Sequence, residues 1–221
     1  MSVPNYSVVP IAEADIPAIG GLLQDSKLCL AINRFLVKDW PNFAIQKPHY
    51  TKAVEGGMAN PDTTCLKVVN DTSQLPVAHL FYTRKTVPPR DQSSTATETK
   101  SEDAKDEVPA GFIADPYWTV VKTVEELEPE FDTDEYMELT HVYVEPSSRG
   151  QGIGSWLFQI ARDAATTAGL PFTICAEPDH HDFFVKRGFK DVKSVDIDLN
   201  KWAAPLSGYG VFRLARMVFV E

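Results

Sequence analysis

Cysteine is scarce in this chain: three residues in 221, at positions 29, 65 and 175, with no Cys-x-x-Cys pair. Such spacing encodes neither a disulfide framework nor a cysteine-rich zinc site, and it fits a reducing interior, cytoplasmic with nuclear access open. His49, His79 and the pair His180-His181 lack zinc spacing with nearby ligands, so no metal is expected. Long hydrophobic runs are missing too. No stretch reaches the ~18 apolar residues of a membrane helix, and Met1 to Asp15 holds no basic segment followed by an apolar block, so neither a membrane span nor secretion is expected. Asn70-Asp71-Thr72 has the spelling of a glycosylation acceptor, which matters only in a secretory compartment. Positive charge is in deficit: 21 Lys plus Arg face 31 Asp plus Glu, a net charge of −10. That balance repels phosphate backbones and anionic lipid, so it argues against nucleic-acid and membrane partners and favours cationic ones.

What is present reads as an ordinary globular chain, 43% hydrophobic and 24% charged. Its length suits a single domain over 1–221. A short β-like run from Ser7 to Ile11 precedes Asp15, which is placed to cap a helix through Leu28 whose Ile16, Ile19, Leu22 and Leu23 recur at helical spacing. Asn33 to Trp40 reads as a second short helix stopped by Pro41. Thr63 to Val69 and Val77 to Thr83 read as strands of a hairpin around a polar turn. Residues 86–109 have almost no large apolar side chain, so they cannot offset their ordering entropy and are expected to form a disordered insertion within the domain. An acidic run from Glu125 to Glu138, free of Lys and Arg, reads either as a solvated face or as a field that draws in a cationic substrate.

The second half is regular. Leu139 to Val144 is a strand by composition, and the loop after it leads into Arg149-Gly150-Gln151-Gly152-Ile153-Gly154. Ile153, Trp156, Leu157, Ile160, Ala161, Ala164 and Ala168 then form a helical stripe ended by Gly169. A buried strand Phe172 to Ala176, a helix capped by Asp179 and running to Arg187, a turn at Gly188, and strands Phe189 to Leu199 and Val211 to Val220 complete an α/β layered pattern. Strand, glycine turn and helix start in that order build an anion site, because the first-turn amides point outward beside the positive dipole end. The phosphate loop of kinases and ATPases needs Gly-Lys-Ser/Thr, but here Gly154-Ser155-Trp156 closes the loop without a lysine. The dinucleotide fingerprint needs a third glycine where Ser155 stands and an acidic residue after the next strand, where there is none.

Val142 through Gly154 instead resembles the acyl-CoA motif Gln/Arg-x-x-Gly-x-Gly/Ala of the GNAT superfamily of N-acyltransferases. The segment from Ala176 to Phe189 looks like a second motif of that family, the one ending Tyr-x-x-x-Gly-Phe. The resemblance covers roughly Glu138 to Phe189, an acyl-CoA core over 138–189. It implies a mixed, mostly antiparallel twisted sheet flanked by helices. It further implies acetyl-CoA as co-substrate, its pyrophosphate on the loop from Arg149 and Gly150 through Gln151, Gly152, Ile153 and Gly154 to Ser155, and its pantetheine arm on Val142, Tyr143 and Val144. The expected reaction is direct attack by the amine of a small cationic molecule in a ternary complex, in a monomer or homodimer.

Glu138 stands where several family members carry a general-base glutamate, and partial burial should raise its pKa toward a useful value; the other reading is a solvated edge. Phe184 occupies the place of the family's tyrosine acid and has no proton to give, which leaves a slow or non-catalytic acyl-CoA sensor as the alternative. His180 and His181, one turn earlier, titrate near neutrality and could replace it, unless they are only a solvated helix start. His141 and Cys175 read as packed side chains. Asn33 to Tyr50 and Asn200 to Val211, with Trp40, Phe43, Tyr50, Trp202 and Tyr209, are the segments placed to shape an acceptor pocket.

Overall fold

The computed structural model describes residues 2–87 and 108–220. The 86–109 insertion, with its expected disorder, therefore falls almost wholly outside the described residues. In chain order the elements are β1 (Tyr6–Pro10), α1 (Ile16–Leu28), α2 (Asn33–Leu36), α3 (Phe43–Ala59), β2 (Thr63–Asn70), β3 (Pro76–Thr86), α4 (Ala114–Glu126), β4 (Glu135–Val144), α5 (Ile153–Ala168), β5 (Phe172–Ala176), α6 (Pro178–Val185), β6 (Phe189–Asp198) and β7 (Val211–Phe219). The strands make one seven-stranded sheet in the order β1-β2-β3-β4-β5-β7-β6. Every neighbouring pair is antiparallel except β4 with β5. This is the mixed, mostly antiparallel sheet that the family resemblance implies.

Helices cover both faces because the strands carry apolar side chains on both. Under α5 and α6 lies a core of Leu80, Met137, Leu139, Leu157, Phe158, Phe172 and Phe184. Under α1 and α3 lies a second, with Ile19, Leu23, Tyr50, Val54, Phe81 and Tyr143. A third gathers Leu30, Leu36, Phe112, Leu127, Phe212 and Leu214 where α2 and α4 meet the β6–β7 end. One irregularity in β4 matters for the site. Phe81 pairs with His141 but Tyr82 pairs with Leu139, so Thr140 has no partner across β3 and the strand bulges there. The extra residue inverts the alternation. Met137 and Leu139 before it and Val142 and Val144 after it all face the α5 core, which turns Glu138, His141 and Tyr143 together toward the opposite face.

Several expectations need correction. Asp15 precedes α1, but its carboxylate accepts from the Ala12 amide at 2.8 Å and pairs with Lys67 at 2.5 Å; it closes a 3₁₀ turn over Glu13–Asp15 and leaves the α1 amides alone. The helix begun at Asn33 ends at Leu36, well before Pro41, since Val37 turns extended and bridges to Phe112. Helix α3 went unanticipated: Pro48 interrupts its sequence, and its buried stripe of Gln46, Tyr50 and Val54 is only one residue wide. Its cap is Asn42, whose side chain accepts from the Ile45 amide at 3.3 Å. Helix α4 hides in a region dominated by charge, although Tyr117, Val120, Val121 and Val124 repeat at helical spacing. The fourth strand starts at Glu135, ahead of Leu139, and the N-cap of α6 is Glu177, ahead of Asp179.

Helix α5 carries the glycine loop at its head, so its seating matters. Leu157 is completely buried beneath it. Truncation of Leu157 to Ala should cost about 3 kcal/mol, transfer and cavity terms together. For a chain of this size that lowers Tm by roughly 6–12 °C, readable by calorimetry; a drop of under 2 °C would mean that α5 is held by something other than this core.

Candidate active site

Strands β4 and β5 pair at Met137–Phe172 and Glu138–Thr173 only. Beyond Glu138 they part, and the edge of β4 that faces β5 has no strand beside it from Thr140 to Val144. Two clefts open onto this gap. The smaller, a polar cavity of about 60 Å³, lies among α1, β3, β4, β5 and α6 and is bordered by Lys27, His79, His141, Glu177, His180 and Phe184. The larger, about 450 Å³, lies on the α2–α4 side and reaches Tyr50, Tyr117, Glu128, Glu138 and Arg216. Lys27, Thr140, His141, Cys175 and Glu177 border both, which makes their junction the point where the two spaces communicate.

The glycine loop sits at the far end of the open β4 edge. Gly150 and Gly152 adopt φ of +78° and +89°, conformations that a side chain makes costly, and Gly152 is the N-cap of α5. No side chain caps this helix, so its first-turn amides are left for another acceptor. Arg149 is exposed at the loop; its Nε donates to the Val144 carbonyl at 2.9 Å and its guanidinium lies 5.4 Å from the Tyr143 ring. A second cation was not foreseen. Arg187 stacks at 3.4 Å on the Phe183 ring and donates to the Ser155 hydroxyl at 2.7 Å, which brings it beside the end of the loop. Only its place just before Gly188 in the second motif hinted at it.

Glu138 is buried, 6% exposed. Burial pulls its pKa up, but the guanidinium of Arg216 and the ammonium of Lys85 outweigh that and hold the carboxyl below its ordinary value. The rise expected from the sequence is thus reversed, because Arg216 arrives from β7, far along the chain. Arg216 is itself 1% exposed and is anchored by donating from Nε to the Leu127 carbonyl at 2.8 Å. Glu177 is held down more strongly, to about 2: burial is overcome by Lys27 and His180. His141 and His79 are both pushed down by burial, to about 4 and about 3, and both stand neutral at pH 7. His180 borders the small cavity, with its Nδ1 3.7 Å from Glu177, whereas His181 turns out to Asp191 at 2.8 Å and borders neither cleft. Phe184, 2% exposed, lines the small cavity.

The larger cleft has an aromatic wall. His49 lies 4.7 Å from Phe112, Phe112 lies 5.7 Å from Tyr117, and Tyr50 adjoins His49 at 5.3 Å. Of the aromatics singled out in the sequence only Tyr50 lines it. Trp202 and Tyr209 pack around Phe35, Trp40 packs against the same third core, and Phe43 is exposed. Glu128, Glu138 and Glu177 add three carboxylates to the wall.

Glu177 also sets an acid limit. Its folded pKa is about 2 against an ordinary 4.5, so its contribution to stability is complete above about pH 4.5 and is lost as pH falls toward 2. Melting curves between pH 5 and pH 3 should show Tm falling with acid, and the Glu177→Gln protein should fall less steeply; equal slopes would show that the Glu177 pairing adds no pH-dependent stability.

Residues 107–191 match the family model described as an acetyltransferase (GNAT) domain. Among curated proteins none matches in sequence. Solved structures align with nearly the whole chain. Arylalkylamine N-acetyltransferase 2 from Aedes aegypti shares 14% identity over 98% of this chain and 99% of its own, with a TM-score of 0.69. An insect putative arylalkylamine N-acetyltransferase 7 from the yellow fever mosquito shares 14% over 96% and 87%, at 0.62. Histone acetyltransferase HPA2 and related acetyltransferase from Corynebacterium glutamicum shares 17% over 98% and 97%, at 0.57. At these identities the likeness is one of fold. No helix among the described residues is long and apolar enough to cross a membrane. The parted strands, the glycine loop and the match over 107–191 agree: residues 107–191 hold an acetyltransferase (GNAT) domain, set in a fold that solved N-acetyltransferases share.

Proposed function

We propose that this protein transfers the acetyl group of acetyl-CoA to the primary amine of a small cationic molecule with an apolar or aromatic body, by direct attack within a ternary complex. The carrying observation is the parting of β4 from β5 after Glu138, with an uncapped helix end at one extreme of the gap and an acidic, aromatic-lined cleft at the other. In this reading the CoA pyrophosphate rests on the amides from Gly150 to Ser155, flanked by Arg149 and Arg187. The pantetheine arm runs along Val142 to Val144 as an added strand partner, and the thioester reaches the junction beside Thr140 and His141.

The acceptor enters through the larger cleft, where His49, Phe112 and Tyr117 would take an aromatic body and the carboxylates its ammonium. The arylalkylamine enzymes among the structural relatives are consistent with that acceptor shape. Glu138, clamped by Arg216 and Lys85, serves here as a fixed anion that orients the amine rather than as the proton acceptor. His180 stays a candidate for proton transfer through Glu177, and His181, turned to Asp191, is left out. We treat 1–221 as one acyltransferase domain with 138–189 as its acyl-CoA core. We place it in the cytoplasm, with access to the nucleus, where its three free thiols would persist.

A second reading, an acyl-CoA sensor without efficient chemistry, rests on Phe184 in the position of the family's acid. Thiol release from acetyl-CoA over a panel of amines, from phenethylamine to spermidine, separates the two: turnover supports the enzyme, and CoA binding without turnover for any amine supports the sensor. Gly152→Val should weaken CoA binding at least tenfold in calorimetry, since φ of +89° costs a β-branched residue about 1–3 kcal/mol and the loop would re-form away from it. Unchanged affinity would overturn the loop assignment. Arg187→Ala should weaken CoA binding severalfold, with no change in amine KM.

A further inference from the structure

Acetyl transfer leaves a thiolate that needs a proton, and Phe184 offers none. The small cavity that Phe184 lines contains few candidates. His79 and His141 are neutral there, Ser26 is engaged with the Leu23 carbonyl at 2.6 Å, the Cys175 thiol is pushed up to about 11 by burial, and His180 borders this cavity but does not reach the acceptor cleft. Among the described residues Lys27 is the only Lys or Arg on its wall. Lys27 also borders the acceptor cleft, so its ammonium stands at the junction where the thioester and the amine would meet. Its backbone is fixed at the end of α1, where Asn33 Nδ2 donates to the Lys27 carbonyl at 2.6 Å and the Cys29 amide caps the same oxygen. Its Nζ donates to Glu177, which also reaches both clefts.

Resting on the acetyl-transfer reading above, we propose that Lys27 is the catalytic acid that protonates the departing CoA thiolate, coupled to Glu177 as the acceptor of the amine's proton. The nitrogen of the amine bonds to the thioester carbon, the C–S bond breaks, and its electron pair goes to sulfur, which takes a proton from Lys27 Nζ. The nitrogen, now carrying the acetyl group, loses its extra proton to Glu177. Glu177 passes that proton across the existing hydrogen bond to the neutral Lys27 amine, and the ion pair is restored with no net exchange with solvent. Reciprocity makes this work: the Lys27 cation is what holds the Glu177 carboxyl so low, so its discharge raises the affinity of Glu177 for a proton at the step that requires it.

The test uses the full chain with acetyl-CoA and whichever panel amine the wild type acetylates fastest. Lys27→Met should lower kcat about a hundredfold, the ordinary scale of one acid–base group, with acetyl-CoA KM within threefold. Lys27→Arg keeps the cation and the pair but cannot release a proton, so it should be folded by its melting curve, bind CoA normally and still be at least thirtyfold slow. If Lys27→Met does not fold, the arginine variant decides alone. A kcat within threefold of wild type in either folded variant would overturn the proposal while acetyl transfer stands. A wild-type protein that binds CoA but acetylates no amine would overturn both.

Discussion

Everything at this site depends on one interruption in hydrogen bonding. A parallel pair of strands normally continues its ladder as far as both strands extend, but β4 and β5 stop after two residue pairs although β4 runs on to Val144. The unspent backbone groups of β4, and the wedge of space beside them, are where the proposed acyl-CoA would dock. The surrounding sheet makes the gap tolerable. β4 is paired along its other side with β3 from Thr86 to Ala78, and β5 is paired with β7, so each lip of the opening has its own support.

The bulge at Thr140 is the second constraint. Without it, strict alternation would send Glu138 and His141 to opposite faces. With it, both look into the space that α1 and α3 leave open, and that face becomes the polar one. A sheet face beside packed helices is a poor place for charge, and the protein manages it by pairing: Glu138 with Arg216 and Lys85, Glu177 with Lys27 and His180. The carboxylates stay ionised, which suits the cationic acceptor proposed for this cleft.

Much of the second half of the chain was legible from local signals. The stripe from Ile153, the strand Phe172–Ala176 and the turn at Gly188 follow from periodicity and glycine, and the structure reproduces them within a residue or two. The glycine loop was readable because positive φ strongly favours glycine. What escaped was non-local. Arg216 belongs to the last strand and meets Glu138 only once the sheet is assembled, so a carboxylate expected to be raised by burial is lowered instead. Lys27 lies one residue before the end of the helix read through Leu28, and nothing within several residues of it hints at Glu177. The aromatic wall likewise drew His49, Phe112 and Tyr117 from segments that carry no mutual pattern, and the bulge at Thr140 has no spelling that sets it apart from its neighbours.

Strand β7 lies between β5 and β6, although both precede it in the chain. Residues 211–219 therefore fill the slot between the two earlier strands, and in that position they deliver the guanidinium that joins Lys85 in pairing with the buried carboxylate of β4. Without that strand Glu138 would keep Lys85 as a partner but lose the guanidinium, and β5 would carry an unpaired edge. Architecture and electrostatics are thus completed by the same strand.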